Sequence, residues 1–290
     1  NWKDETLARA MMNSLSHRGP DAEGMHAEDG ISLGHNRLSI IDLSPEANQP
    51  MHDERDELVI VYNGEIYNFR ELKEELAGDY QFKTKSDTEV ILAGYRKWGS
   101  GVAQRLNGMF AFAIWDRRDR TLFCARDHAG MKPFYYFWDG KKFIFASELK
   151  AIFEHPIPRR LNREAFNHYL RVLYAPEPMT MIEGVYKLPP AHTLVLKGNA
   201  LSIESYARVV EPSRMSYGEA TSVLHEKVVR AVERHLIADV PVGVYLSGGI
   251  DSSTVLCTMS KFRGNIKTFS VGFELTEGEE SKKFNSDFEL

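Results

Sequence analysis

The sequence predicts an α/β protein of two domains, the second organised on a parallel sheet. Three observations carry this. Val240 to Ser253 (VPVGVYLSGGIDSS) is an apolar run that ends at Leu246 in a small, polar, glycine-rich stretch. Thr254 to Met259 then reads as a helix and Ile266 to Gly272 as a second strand. Strand, loop, helix and strand in that order imply parallel strands with a ligand at their C-terminal ends. Ahead of this unit the chain has its own strand-like and helix-like stretches, and Glu211 to Met215 reads as a linker. Domains at 1–210 and 211–290 are expected.

Composition bounds the function. With 43% hydrophobic and 27% charged residues in 290, the chain is that of a soluble globular protein. No apolar run approaches the ~18–20 residues of a membrane span, and no signal-peptide pattern opens the chain. A net charge of −5 argues against a large nucleic-acid surface. Cys124 and Cys257 are far apart and lack metal spacing. That suits a reducing, cytoplasmic compartment and excludes a disulfide scaffold or a Cys-rich zinc site. Both ends read as cut, with Ser281 to Leu290 resembling the start of a helix.

Leu7 to Leu15 has apolar residues at 7, 8, 11, 12 and 15, a helical face. His17 to Asp21 is a polar turn. Ile31 to Ile41 is strand-like and contains Arg37, which is expected to pair structurally or with a ligand carboxylate. Asn63 and Gly64 between apolar runs give a hairpin signal. The same turn could serve as an oxyanion hole. Phe69 to Ala77 is helical. Ser86 to Glu89 fits a capping box, Ser86 as N-cap and Glu89 at N3, before the helical run from Val90. Asp87 is left to favour the helix dipole or to bind a ligand amine.

Gly108 to Trp115, Thr121 to Arg126 and Lys142 to Ser147 read as strands, with Cys124 as a core residue. Arg163 to Leu170 is helical, Tyr174 to Ala191 irregular, and His192 to Leu196 and Leu201 to Tyr206 are short strands. Gly218 to Ile237 is an amphipathic helix with Val223, Leu224, Val228, Ala231, Val232 and Leu236 inward.

The loop from Ser247 to Ser253 is an anion site in sequence. Unpaired N–H groups and the dipole favour negative charge at a helix start, and Gly248 and Gly249 let the backbone approach a ligand closely. It lacks the Gly-Lys-Ser/Thr ending of the P-loop. It resembles instead the pyrophosphate loop of the ATP pyrophosphatases.

Together with Leu38 to Asp42 (LSIID), Asn63 to Asn68 (NGEIYN), Ser86 to Glu89 (SDTE) and Lys132 to Tyr136 (KPFYY), this loop makes nearly the whole chain resemble glutamine-hydrolysing asparagine synthetases of the bacterial B type. The resemblance implies an N-terminal αββα four-layer N-terminal-nucleophile (Ntn) hydrolase sandwich, followed by the beginning of an ATP-pyrophosphatase domain. It implies glutamine hydrolysis in the first domain. Ammonia would pass to the second, where ATP and Mg²⁺ activate aspartate as β-aspartyl-AMP. Arg37 would hold the α-carboxylate of glutamine and Asp87 its α-ammonium, helped by backbone at Leu38, Ile40 and Ile41. Asn63 and Gly64 would stabilise the oxyanion, and Glu65 would line the pocket. Leu246 and Val271 would contact the nucleotide. Ser247, Gly248, Gly249, Asp251, Ser252 and Ser253 would hold the pyrophosphate. A homodimer is compatible with the family.

The departures matter as much. The family's nucleophile is a Cys at the mature N-terminus followed by a short strand, whereas residue 1 here is Asn1. The 290-residue chain is therefore expected to hydrolyse no glutamine. A related amidotransferase acting on another carboxylate, or a β-lactam-synthetase-like member without glutaminase activity, are the competing readings.

Overall fold

The structure is a computed structural model and describes residues 4–207 and 214–272. The chain divides into two compact units, Asn1–Val209 and Val210–Leu290. In the first, helix α1 (Glu5–Ser14) leads into strands β1 (Ala22–Glu28), β2 (Ile31–Arg37), β3 (Met51–His52) and β4 (Leu58–Ile66). Helices α2 (Phe69–Leu76) and α3 (Asp87–Trp98) precede β5 (Gly108–Asp116), β6 (Thr121–Arg126), β7 (Tyr135–Trp138) and β8 (Phe143–Ala146). Then come α4 (Leu149–Ile152), α5 (Arg163–Val172), β9 (Val185–Lys187), β10 (His192–Lys197) and β11 (Ala200–Ser205).

Strand β6 is buried at every position and β4 and β5 at most, so both faces of their sheet must be covered. That sheet is antiparallel with order β11-β10-β6-β5-β4-β3. Alternation sends Val59 and Val61, Ala111, Ala113 and Trp115, and Leu122 and Cys124 to one face. There they meet Ile31 and Leu33 of β2 and Tyr136 of β7 in a single core. On the other face α3 covers the sheet, with Tyr95 stacked on Phe123 at 5.1 Å. A second strand layer consists of β1–β2 and β8-β7-β9. Its outer side packs Phe137, Ile144 and Val185 against Ile152, with Met11 of α1 and Leu149 of α4 alongside. Helices, sheet, sheet and helices make the αββα sandwich of the Ntn hydrolases.

Unit 2 contains α6 (Tyr217–His235), β12 (Gly243–Tyr245), α7 (Ile250–Met259) and β13 (Lys267–Phe269). Ser216 caps α6 in a capping box with Glu219. Strands β12 and β13 pair in parallel, Val244 opposite Thr268.

Several expectations need correcting. Asn63 and Gly64 make no hairpin turn, because β4 runs on through them and pairs with β5 from Leu58↔Asp116 to Ile66↔Gly108. Gly64 is needed for room: a Cβ there would lie 2.1 Å from the Met109 carbonyl oxygen. Strand β2 stops at Arg37, short of Ile41, because the Arg37 side chain organises the following segment as a loop. Ser86 does cap α3, accepting from Thr88 N–H, but Glu89 does not close the box. Its carboxylate turns back to the N–H groups of Lys83 (2.9 Å) and Thr84 (2.7 Å). Strand β9 lies in a stretch expected to be irregular, and β7 in one to which no element was assigned. Helix α7 begins at Ile250 rather than Thr254, so Asp251, Ser252 and Ser253 form its first turn. Of the face of α6 expected inward, Leu224 and Ala231 are exposed and Val232 is buried among the described residues. The expected linker from Glu211 and the helix start at 281–290 fall wholly or largely outside the described residues. No helix among the described residues is long and apolar enough to cross a membrane.

One buried carboxylate ties the first unit together after β6. Asp127 is 1% exposed and accepts four backbone N–H groups, from Phe110 (3.1 Å), Ala129 (3.0 Å), Met131 (2.9 Å) and Lys132 (3.0 Å). Asp127→Ala leaves these donors without their acceptor. It should destabilise the protein by about 3 kcal/mol or more, read as a fall in the urea midpoint. An unchanged midpoint would show that water replaces the carboxylate.

Candidate functional site

A cavity of about 880 Å³ opens where the buried faces of β2 and β4 turn polar. On β4, Val59 and Val61 belong to the core, and Asn63 and Glu65 continue the same face. On β2, Ile31 and Leu33 give way to His35 and Arg37 in the same register. The core thus ends and a polar pocket begins at one level of the sandwich. Arg37, Leu38, Ile40, Ile41, Asn63, Gly64, Glu65 and Asp87, the residues singled out in the sequence, all line this cavity.

Arg37 is 6% exposed, and its partners are not acids. Its Nη1 donates to the Ser44 carbonyl (2.9 Å) and to Asn48 Oδ1 (2.8 Å), and its Nη2 to the carbonyls of Ile41 (3.3 Å) and Asp42. The guanidinium therefore shapes the loop that follows β2. Asp21 Oδ2 holds that loop by Ser39 N–H (2.7 Å), and Asp42 Oδ2 accepts from Lys85 N–H (2.7 Å), joining it to the approach to α3. Burial draws the Arg37 pKa down, against the pull of Asp42, Asp21 and Asp87.

Asp87 opens α3, where the helix N-terminus favours its charge. Its Oδ2 accepts from Tyr62 OH (2.8 Å) and from Ile66 N–H (2.9 Å), which fixes α3 to β4. Burial nevertheless pushes its pKa up. Glu65 is pushed up to about 7, first by burial and then by Asp87. Asn63 Nδ2 and Glu65 Oε1 are buried without a hydrogen-bond partner among the described residues. A donor and an acceptor left open at the wall of a cavity are what a ligand would complete.

Sequence reasoning passed over the residues that hold this wall. Beyond short β3, one edge of β4 has no partner strand among the described residues, and side chains take its place. Gln49 Oε1 accepts from Tyr62 N–H (2.7 Å), and His35 Nε2 lies 3.0 Å from the Tyr62 carbonyl, so that nitrogen carries a proton and donates. The polar face of β2 was the available sign for His35. Gln49 offered none. The two cysteines are no candidates for this pocket: Cys124 is buried in β6, where burial pushes its thiol pKa up, and Cys257 is on α7.

The same cavity extends along all of β2 and β8. Among the described residues each of these strands pairs on one side, β2 with β1 and β8 with β7. Two sheet edges without partner strands among the described residues therefore border one cavity.

In unit 2, the turn after β12 sits at the C-terminal end of both parallel strands. Leu246 N–H donates to the Phe269 carbonyl (2.8 Å), and Ser270 Oγ donates to the Leu246 carbonyl (2.7 Å). Gly248 has φ +74, open to glycine, and Gly249 caps α7. Ser252 Oγ accepts from Ser247 N–H (3.3 Å) and donates to the Gly249 carbonyl (3.1 Å), closing the turn around the helix N-terminus. Ser247, Gly248, Gly249, Asp251, Ser252 and Ser253 are brought together; Val271 is exposed just past β13.

Comparison with known proteins agrees with both units. A family model described as a glutamine amidotransferase domain matches residues 1–207, and one described as asparagine synthase matches residues 223–286. An asparagine synthetase (glutamine-hydrolyzing) of Bacillus subtilis is 38% identical over 273 residues, 93% of this chain and 43% of its own. A putative one of Methanocaldococcus jannaschii is 39% identical over 290 residues, 91% of this chain and 56% of its own. A protein named amidase chry2, of Gibberella zeae, is 39% identical over 253 residues, 84% of this chain and 37% of its own. The chain spans about half the length of the curated relatives it matches. Among solved structures, a glutamine PRPP amidotransferase from B. subtilis covers 96% of this chain and 67% of its own, with a TM-score of 0.52 and 16% identity, a likeness of fold.

His35 gives this site a measurable acid limb. Burial holds its pKa at about 4, below the ordinary 6.5. The folded protein keeps it neutral while the unfolded chain takes up a proton, so stability present above about pH 6.5 is lost as the pH falls towards about 4. Stability should drop by about 1–2 kcal/mol from this group between about pH 7 and about pH 5, and His35→Gln should remove that part of the slope in urea titrations. An identical slope in the variant would contradict this.

Proposed function

The chain belongs to the glutamine amidotransferase domain family, and on that premise we propose that it is part of an enzyme that hydrolyses glutamine and uses the ammonia, with ATP, to convert aspartate to asparagine. One observation carries the reading. A single cavity presents a buried cation at Arg37, a buried anion at Asp87 and an open amide donor at Asn63. Glutamine is a zwitterion with a carbonyl to be attacked, and it needs all three.

In this reading the α-carboxylate lies against the loop of Leu38, Ile40 and Ile41 that Arg37 shapes, within the field of its guanidinium. The α-ammonium pairs with Asp87 and Glu65. A thiolate attacks the side-chain carbonyl, and the oxyanion takes hydrogen bonds from Asn63 Nδ2 and Gly64 N–H. Collapse of that intermediate expels ammonia and leaves a thioester, which water cleaves to glutamate. The thiol is assigned to a cysteine carried on an extended segment between β2 and β8, where two strand edges would supply its backbone partners. Since the thiols at Cys124 and Cys257 do not line the cavity, the 290 residues by themselves would release no ammonia.

The turn from Ser247 to Ser253 is assigned to the pyrophosphate of ATP, with Leu246 and Val271 beside the nucleotide. An open glycine backbone and a helix N-terminus fit that group. The described residues hold no cluster of three or more His, Cys, Asp or Glu set to bind a metal, so Mg²⁺ would arrive with the phosphates, whose charge it would offset. Adenylylation of the aspartate β-carboxylate releases pyrophosphate. Ammonia then attacks the acyl carbon, and AMP leaves. Dependence on ATP and a reduced thiol supports a cytoplasmic setting.

Similarity to proteins named amidase favours a second reading, in which the same two steps serve another carboxylate acceptor. Product analysis of the full-length protein with glutamine, ATP and aspartate separates them: asparagine is expected, and its absence despite glutamine hydrolysis would overturn the aspartate assignment. In that protein Asn63→Ala should lower glutaminase kcat by about 10²-fold while leaving synthesis from ammonia intact. A kcat within about twofold of the parent would remove Asn63 from the oxyanion site.

A further inference from the structure

Glu65 and Asp87 place two carboxylates on one cavity, and Asp87 raises the cost of ionising Glu65. Lys132 opposes this for Glu65. It comes from the loop after β6, and backbone contacts fix its place. Lys132 N–H donates to Asp127 (3.0 Å), and its carbonyl accepts from Arg126 Nε (2.7 Å). The same Asp127 carboxylate accepts from Phe110 N–H, and Phe110 lies opposite Gly64 in the β4–β5 register. The loop is thus keyed to the strand position next to Glu65. The Lys132 side chain is half-buried and lines the cavity with Glu65 and Asp87. Burial and Arg18 draw its pKa down, while Glu65 and Asp127 hold it up. Other titratable groups lining this part of the cavity are Tyr62 of β4, His35 and Arg37 of β2, and Arg18 of the turn after α1, and Tyr67, just past β4, lies within the field of Glu65.

We propose that Lys132 is a positioning residue for substrate recognition: held by the loop after β6 on the cavity wall that Glu65 and Asp87 share, its ammonium offsets these carboxylates in the empty pocket until both receive the ammonium of the amino-acid substrate. This rests on the reading of the cavity as a glutamine site. The substrate's ammonium then takes over as the counter-charge of both carboxylates.

The test follows glutamine KM and kcat in the full-length protein from about pH 6 to about pH 8.5. In the parent, KM rises as the pH falls through about 7 and is about tenfold higher at about pH 6, because a protonated Glu65 no longer accepts the ammonium. Lys132→Met and Lys132→Gln shift that rise to higher pH and increase KM severalfold at neutral pH, with kcat within about twofold. Lys132→Arg restores the parent profile, and Glu65→Gln gives a high KM that no longer varies over this range. A purely structural Lys132 would lower activity without moving the profile. An unmoved KM profile in both charge-removing variants overturns the inference alone. Failure of the parent to hydrolyse glutamine overturns the site reading, and the inference falls with it.

Discussion

Pairing of β4 with β5 over the full length of both strands is the constraint from which the site follows. It keeps Asn63, Gly64 and Glu65 in an extended strand, so that Asn63 and Glu65 continue the face on which Val59 and Val61 build the core. A turn at this point would have sent these side chains elsewhere. Gly64 tolerates the close approach of the Met109 carbonyl, which no residue with a Cβ could. Strand β2 makes the same change from apolar to polar at His35 and Arg37. The pocket is therefore the continuation of the hydrophobic core into a region where the side chains carry charge.

That placement has an electrostatic cost, and neighbouring elements distribute it. Arg37 spends its hydrogen bonds on carbonyls and an amide instead of a carboxylate, while Asp42, Asp21 and Asp87 offset its charge from nearby. Asp87 gains from the α3 N-terminus and from Tyr62 and Ile66, yet burial still raises its pKa. Glu65 has less support and is pushed to about 7. A pocket that brings the Arg37 guanidinium together with the Asp87 and Glu65 carboxylates suits the zwitterionic ligand proposed for it. The match comes from unfinished interactions, as the open Asn63 Nδ2 and Glu65 Oε1 show.

The slot between β2 and β8 is a backbone counterpart of those open side chains. Strand edges attract another strand, and proteins otherwise blunt or cover them. Here the two edges border the cavity that holds the polar residues. The proposed division of labour between the units is consistent with their architecture: a cavity with buried polar groups for acyl chemistry in the sandwich, and an open helix N-terminus for phosphate in unit 2.

Much of this was legible in the residues themselves. The alternation of β4 to β6, the Ser86 cap of α3 and the glycine-rich turn between β12 and α7 are local. They depend on side-chain period, on a hydroxyl reaching the next N–H groups, and on glycine's backbone freedom. The resemblance carried by the LSIID, NGEIYN and SDTE stretches pointed to one pocket, and residues from all three stretches line one cavity. What the sequence could not decide were choices between local and distant partners. Asn63 and Gly64 have the composition of a turn, but β5 offered a full ladder of hydrogen bonds. Glu89 was placed to close a capping box, but the N–H groups of Lys83 and Thr84 were nearer once the preceding chain folded. Arg37 could have met an acid or a ligand, and met loop carbonyls. By itself the sequence determined which residues carry charge, which stretches form the strands β5 and β6 and where the cap of α3 lies, because those follow from neighbours along the chain. Only the tertiary structure decided which buried polar groups are satisfied and which stay open, because that is settled by elements far apart in sequence meeting across the sandwich.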